Sequence, residues 1–281
     1  MEWKGRRGSS NVEDRRGSGG GRKLVGGGIG GIILVILVTL FSGGNAGDIL
    51  NNLTNTGSNQ SVPYEQTAQE EELAQFVSVV LKDTEDIWAD LFKQNGLTYE
   101  NPTLVLYTDS VQSACGQAGA SVGPFYCPGD QKLYIDLSFY DELRQEFQAP
   151  GDFAMAYVIA HEVGHHVQTL LGTTDKIMPL REKLSKTEFN QYLVSFELQA
   201  DYFAGVWAHH AQGMGVLETG DIDEALTAAS AVGDDTLQKK AQGYVVPESF
   251  THGSSAQRKQ WFNKGFQTGS IEGGDTFKEA S

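Results

Sequence analysis

Apolar residues recur at helical spacing across residues 69–94, where Leu73, Phe76, Val77, Val80, Leu81, Ile87, Trp88, Leu91 and Phe92 share one face. That spacing predicts a long amphipathic helix. NPTLVLYTD at 101–109 reads as a strand that starts after Pro102. KLYIDLSF at 132–139 alternates Leu133, Ile135 and Leu137 with Tyr134, Asp136 and Ser138, the period of a half-buried strand. Helix-like YDELRQEF follows it. Two long helical patterns come next, at 152–171 and about 187–212, and two shorter ones at 221–240 and 254–268. No internal repeat is present. The pattern predicts one α+β domain over 69–270, mostly helical with a small β-sheet, and a short tail at 271–281.

The N-terminal part breaks this pattern. Residues 1–23 are rich in Gly, Arg and Ser and carry seven Lys/Arg against three acids, in a chain whose net charge is −15. Such a head is expected to be disordered. LVGGGIGGIILVILVTLF at 24–41 has no charge and meets the lower length limit of a transmembrane helix. Basic residues ahead of it predict a cytoplasmic N-terminus and an extracytoplasmic remainder, periplasmic or extracellular. A cleaved signal peptide is the rival reading, with GGNAG at 43–47 as the cleavage region. The long basic region and long apolar run favour a signal anchor that makes the protein single-pass in the cell membrane. Residues 42–68, rich in Gly, Asn, Ser and Thr, read as a flexible linker.

The candidate chemistry lies in the helix at 152–171. AYVIAHEVGHHVQTLL contains His161, Glu162 and His165 in the order HExxH. A helix turns about 100° per residue, so positions four apart lie about 40° from each other. His161 and His165 can both reach one metal ion, and Glu162 sits one step around, beside a metal-bound water. Hydrolysis of a peptide at zinc needs those two nitrogens, a third protein ligand, an open position for water and a base. The motif alone also occurs on surface helices by chance. Here its neighbours are apolar or small, and buried imidazoles and carboxylates need strong partners.

The extended form with a third histidine is excluded, because Leu171 stands where that histidine belongs. Downstream, Glu197 and Asp201 are four apart on a helix whose neighbours Phe196, Leu198, Ala200, Phe203, Ala204 and Trp207 leave little polar face. We read Glu197 as the third ligand and Asp201 as the acceptor that orients a ligand histidine through its second N–H. A solvated acidic pair is the plain alternative.

HEVGHHVQ, FELQADYFAGVWA, THGSSAQRKQWF and the upstream SACG and GPFYCPGDQKLYIDLSFYDEL stand in order along the chain. Together they resemble the bacterial neutral zinc metallopeptidases over about residues 70–270, and the resemblance takes in the basic N-terminus and anchor. It implies a zincin-like fold and a gluzincin-like site: one zinc ion per chain on His161, His165 and Glu197, with Glu162 as catalytic base.

The remaining polar candidates are fewer. Cys115 and Cys127 are the only cysteines, and an exported domain would join them in a disulfide. His252, just ahead of a helix capped by Ser254 or Ser255, is a candidate donor to the oxyanion of peptide hydrolysis, with a capping role as its alternative. Arg258 reads as a surface charge, although pairing with an acid near the site is open to it. His166 points about 100° away from His165 and is not read as a ligand. Segment 132–137 is expected to be an edge strand that holds an extended substrate, with an ordinary sheet strand as its alternative. An acidic domain argues against nucleic acid as partner. The function expected is a membrane-anchored zinc metalloendopeptidase acting on a peptide or protein substrate. Its rival is a zinc-containing envelope scaffold or assembly factor without turnover.

Overall fold

The computed structural model describes residues 1–17, 22–23, 61–62 and 65–279. In chain order its elements are β1 (Val12–Asp14), β2 (Arg22–Lys23), β3 (Ser61–Val62), α1 (Ala68–Gln94), β4 (Thr103–Tyr107), β5 (Ser110–Ser113), β6 (Gly116–Gly119), β7 (Phe125–Cys127), β8 (Lys132–Asp136) and α2 (Phe139–Gln145). Then follow α3 (Asp152–Leu170), α4 (Thr173–Ile177), α5 (Lys186–Gly213), α6 (Asp221–Ala231), α7 (Asp234–Gln242) and α8 (Ser255–Thr268). The fold is α+β and mostly helical, as the periodicity predicts.

Helix α3 is the centre. Every residue from Phe153 to Gln168 is buried, because α1, α5, α6 and the sheet edge β7 pack around it. A helix surrounded on all sides must be apolar all round, and that is why its sequence shows so little polar face. Helices α5 and α8 meet backbone to backbone. A Cβ on Gly205 would stand 2.0 Å from the Phe262 carbonyl oxygen, and one on Gly265 2.0 Å from that of Tyr202. Thr67, Ser185 and Ser254 begin α1, α5 and α8 with capping boxes, each satisfying backbone donors that the first helical turn leaves free.

The main sheet has the order β1-β4-β8-β7. Strands β1, β4 and β8 are parallel, and β7 is antiparallel to β8. The expectation of an edge strand at 132–137 is therefore corrected: β8 is interior, and the edge is β7. Three residues between Pro124 and Pro128 are too short to show any period, so β7 reads from sequence as part of a turn. The predicted helix at 221–240 is two helices. The chain breaks at Val232–Gly233, where Ser255 packs so closely that a Cβ on Gly233 would lie 2.4 Å from its Oγ.

The membrane anchor is the larger correction. Residues 24–41, and most of the expected linker, lie outside the described residues. No helix among the described residues is long and apolar enough to cross a membrane. The head expected to be disordered is folded against the rest of the domain: β1 pairs with β4, Met1 and Trp3 are buried, and the Met1 ammonium lies 2.7 Å from Asp152 at the start of α3. A single crossing at 24–41 would put β1 and β4 on opposite sides of the bilayer, and one sheet cannot be so divided. The single-pass topology, with its cytoplasmic head and extracytoplasmic domain, is overturned. Those of the head's basic residues whose side chains are described serve as ion-pair partners. Arg6 binds Asp83 at 2.5 Å, Arg15 pairs with Glu13, and Arg16 reaches Asp14 and Glu71.

Cys115 and Cys127 are joined in a disulfide, with Cα atoms 5.9 Å apart. The bond ties the β5–β6 hairpin to the end of β7.

Candidate metal centre

Helix α3 brings His161 and His165 to the same face, and α5 crosses it with Glu197 opposite them. His161 Nε2 lies 3.2 Å and His165 Nε2 3.5 Å from the same oxygen, Glu197 Oε2. One ligand atom from each of the three residues falls within 4.8 Å of the others, and all three side chains are buried. Two imidazole nitrogens and a carboxylate oxygen around one point form a donor set that suits zinc.

The far nitrogen of each imidazole is fixed. His161 Nδ1–H donates to Asp201 Oδ1 at 2.9 Å, and His165 Nδ1–H donates to Gln168 Oε1 at 2.8 Å. A carboxylate can only accept, so Nδ1 carries a proton, and on the neutral ring the Nε2 lone pair faces Glu197. The Gln168 amide is oriented in turn, since its Nε2 donates to the Phe196 carbonyl at 2.7 Å and to Gln199 Oε1 at 3.0 Å. The His165 ring also stacks on Phe196, with centroids 5.2 Å apart.

Asp201 is the hub of a buried network. It accepts from Tyr157 Oη at 2.5 Å, and Arg258 donates to it through Nε at 2.8 Å and through its terminal nitrogen at 3.0 Å. Asp201 is completely buried, which opposes its charge, yet Arg258 and His161 hold its pKa down to about 2. Burial likewise works against a charged His161, but Asp201 and Glu197 outweigh it and raise its pKa to about 9. Glu197 is driven well below the usual carboxylate range, its burial being outweighed by His165 and His161.

Glu162 is different. Burial raises its pKa, and the two motif histidines only partly offset that. Its carboxyl is thus more basic than Glu197 in the same site. Both face a cleft of about 330 Å³, lined on one side by Phe125 and Tyr126 of the edge strand β7.

His252 lines this cleft too. Its ring Nδ1 lies 3.1 Å from Asp234 Oδ1, and the backbone N–H groups of Thr251 and His252 each donate to Asp234 Oδ2 at 2.7 Å. Burial disfavours its charge, but Asp234 overcomes this and raises its pKa. The helix N-cap is Ser254, so His252 does not serve as the cap. His166 is turned away, with Nδ1 3.0 Å from Tyr126 Oη and Nε2 2.7 Å from the Glu100 carbonyl, and burial lowers its pKa to about 4. Arg258 is 4% exposed and paired, which corrects its reading as a surface charge. Sequence reasoning missed Gln168. Its position three residues after His165, on the same helical face, was the available signal.

The family model described as putative neutral zinc metallopeptidase matches residues 1–277, and the chain belongs to that family. Uncharacterized protein YpfJ of Escherichia coli (strain K12) is 49% identical over 287 residues, covering 99% of each chain. Uncharacterized protein Mb2605 of Mycobacterium bovis is 42% identical over 193 residues, 65% of this chain and 64% of its own. No solved structure matches the chain.

Proposed function

We propose that this member of the neutral zinc metallopeptidase family is an endopeptidase whose centre is His161, His165 and Glu197, with Glu162 as its base. Zinc bound by those three residues supplies Lewis acidity toward water and the scissile carbonyl. Glu162 takes the proton of the attacking water and later passes it to the leaving amine. Its burial-raised pKa suits that exchange, because a carboxylate with a depressed pKa holds protons too weakly. His252 donates a hydrogen bond where negative charge develops on the carbonyl oxygen, with Asp234 fixing its other nitrogen. The edge strand β7, which lines the cleft, offers an extended peptide a strand to lie along.

The observation that carries this reading is the difference between the two buried glutamates. Glu197 Oε2 lies against both imidazoles, at 3.2 and 3.5 Å, while Glu162 beside it stands outside that donor set and faces the cleft. A scaffold that merely holds a metal has no use for the second carboxylate. The test is a peptide-library cleavage profile of the zinc-loaded chain, run with and without chelator and beside Glu162→Gln. Cleavage that survives both chelation and Glu162→Gln would sink the proposal, as would a chain that cuts no peptide.

A further inference from the structure

The cleft has two unlike ends. Its floor is one stripe of α3, formed by Val158, His161, Glu162, His165 and Thr169. Val158 and Thr169 are eleven positions apart, about 16 Å along a helix. That length accommodates about five residues of extended peptide.

At the Val158 end the wall is apolar. Phe139 and Phe147 come from the segment leading into α3. Leu237 comes from α7, which Lys240 ties to that segment through the Glu146 carbonyl at 2.6 Å. At the Thr169 end the wall is Thr174, Met178 and Arg181. Thr169 and Thr174 are hydrogen-bonded at 3.0 Å, which fixes this group at the C-terminal end of α3. The cleft contains two arginines, and only one is paired. Arg258 is bound to Asp201, whereas Arg181 has no ion pair or hydrogen bond among the described residues. Arg181 is only partly exposed, so its side chain lies against the cleft wall rather than extending freely into solvent. A planar fork of N–H donors in that position matches a carboxylate, which can accept two parallel bonds. The rest of the chain is strongly acidic, so an unpaired cation in the cleft singles out where an anionic group is tolerated.

We propose that Arg181 is a specificity residue that reads a carboxylate of the peptide, at the end of the cleft opposite its apolar wall. The inference rests on the peptidase reading for its substrate class, and on the two ends of the cleft for its polarity. The substrate is then a peptide segment with an apolar side chain toward Val158 and a carboxylate toward Thr169. That carboxylate belongs either to an Asp or Glu side chain or to a free C-terminus.

The test uses the full zinc-loaded chain and a set of labelled octapeptides. Each peptide carries Glu, Gln or Lys at one scanned position, with a free or an amidated C-terminus. Binding to Glu162→Gln is measured by fluorescence anisotropy, and turnover by the unaltered chain as kcat/KM. At one position Glu is expected to bind about tenfold or more tighter than Gln, with Lys weakest. Arg181→Gln should erase that preference, and Arg181→Glu should reverse it in favour of Lys, while an apolar-only peptide with an amidated C-terminus does not discriminate the three proteins by charge. A preference that follows C-terminal amidation instead assigns the carboxylate to the peptide terminus. The proposal is overturned if neither an acidic position nor a free C-terminus is preferred, or if the preference persists in both Arg181 variants. Peptides cleaved without charge preference would overturn this inference alone. Peptides bound with the expected preference but never cleaved would overturn the peptidase reading and leave Arg181 its role.

Discussion

Gly164 faces the backbone of Ala200 so closely that a Cβ would stand 2.8 Å from the Ala200 carbonyl oxygen and 3.0 Å from its Cα. This contact sets the distance between α3 and α5. Gly164 lies between Glu162 and His165, and Ala200 between Glu197 and Asp201, so the same approach lets Glu197 reach both histidines. Gly164→Ala is expected to cost about 1–3 kcal/mol of stability, because neither backbone can yield without moving a whole helix. It should also weaken metal affinity by separating the ligands. Denaturant unfolding of the metal-free chain and a zinc titration check the two effects separately. Unchanged affinity would mean that Glu197 adapts and that the spacing is not what holds the site together.

Zinc content is expected to depend on the three ligands and not on the base. His161→Ala, His165→Ala and Glu197→Ala should each lose the metal, while Glu162→Gln keeps it and loses turnover by several orders of magnitude. Elemental analysis of the purified variants decides this. A full equivalent of zinc in Glu197→Ala would remove Glu197 from the ligand set.

The cluster of His161, His165 and Glu197 is legible because of where its members sit. Three polar groups at helical spacing, embedded in apolar neighbours, demand partners, and the only shared partner for two imidazoles and a carboxylate is a cation. Glu197 and Asp201 were legible for the same reason. Arg258 was not, because it lies 57 residues beyond Asp201 and nothing local marks a long-range ion pair. The basic head misled for a related reason. The sign of its arginines points to a membrane, whereas their meaning lies in the acids they meet: Asp83, Glu13, Asp14 and Glu71. Strand β7 escaped because three residues carry no period, and yet it forms a wall of the cleft.

Arg258 makes its own prediction. Asp201 is buried, and among the described residues Arg258 is its only cationic partner besides His161. Arg258→Met strands the carboxylate and is expected to cost roughly 3–5 kcal/mol. Adding Asp201→Asn removes the stranded charge and should recover much of that loss, which a double-mutant cycle in denaturant measures. Strictly additive losses would show that the two residues do not act as a pair. Arg258→Lys should not restore the wild-type value, since a lysine cannot donate through two positions of a planar fork.

His252 should separate binding from turnover. A donor that matters where charge develops on the carbonyl oxygen lowers kcat when removed and leaves KM nearly unchanged. His252→Ala is expected to lose about 10²–10³ in kcat while keeping zinc. Asp234→Asn should produce part of that loss by freeing the ring it holds at 3.1 Å. Near-normal kcat in His252→Ala would limit this residue to packing around Asp234.

Glu142 predicts a pH dependence remote from the metal ligands. Its Oε2 is buried with no hydrogen-bond partner among the described residues. Burial, with Asp136 and Glu146 adding like charge, raises its pKa from 4.5 to about 7. Between those values the folded chain keeps a proton that the unfolded chain has released. Stability from this group is therefore full below the unfolded value and is lost as pH rises through about 7. Glu142→Gln keeps the shape and removes the titration. The side chain is partly reached by solvent, so the gain is expected to be on the order of 1–2 kcal/mol at pH above about 8. Below about pH 4.5 the two proteins should differ little, because both then carry a neutral group there. Denaturant midpoints of the pair, measured across that range, give the difference directly. A gap that stays constant with pH would mean that Glu142 titrates as an ordinary carboxylate and that its buried oxygen finds a partner in solution.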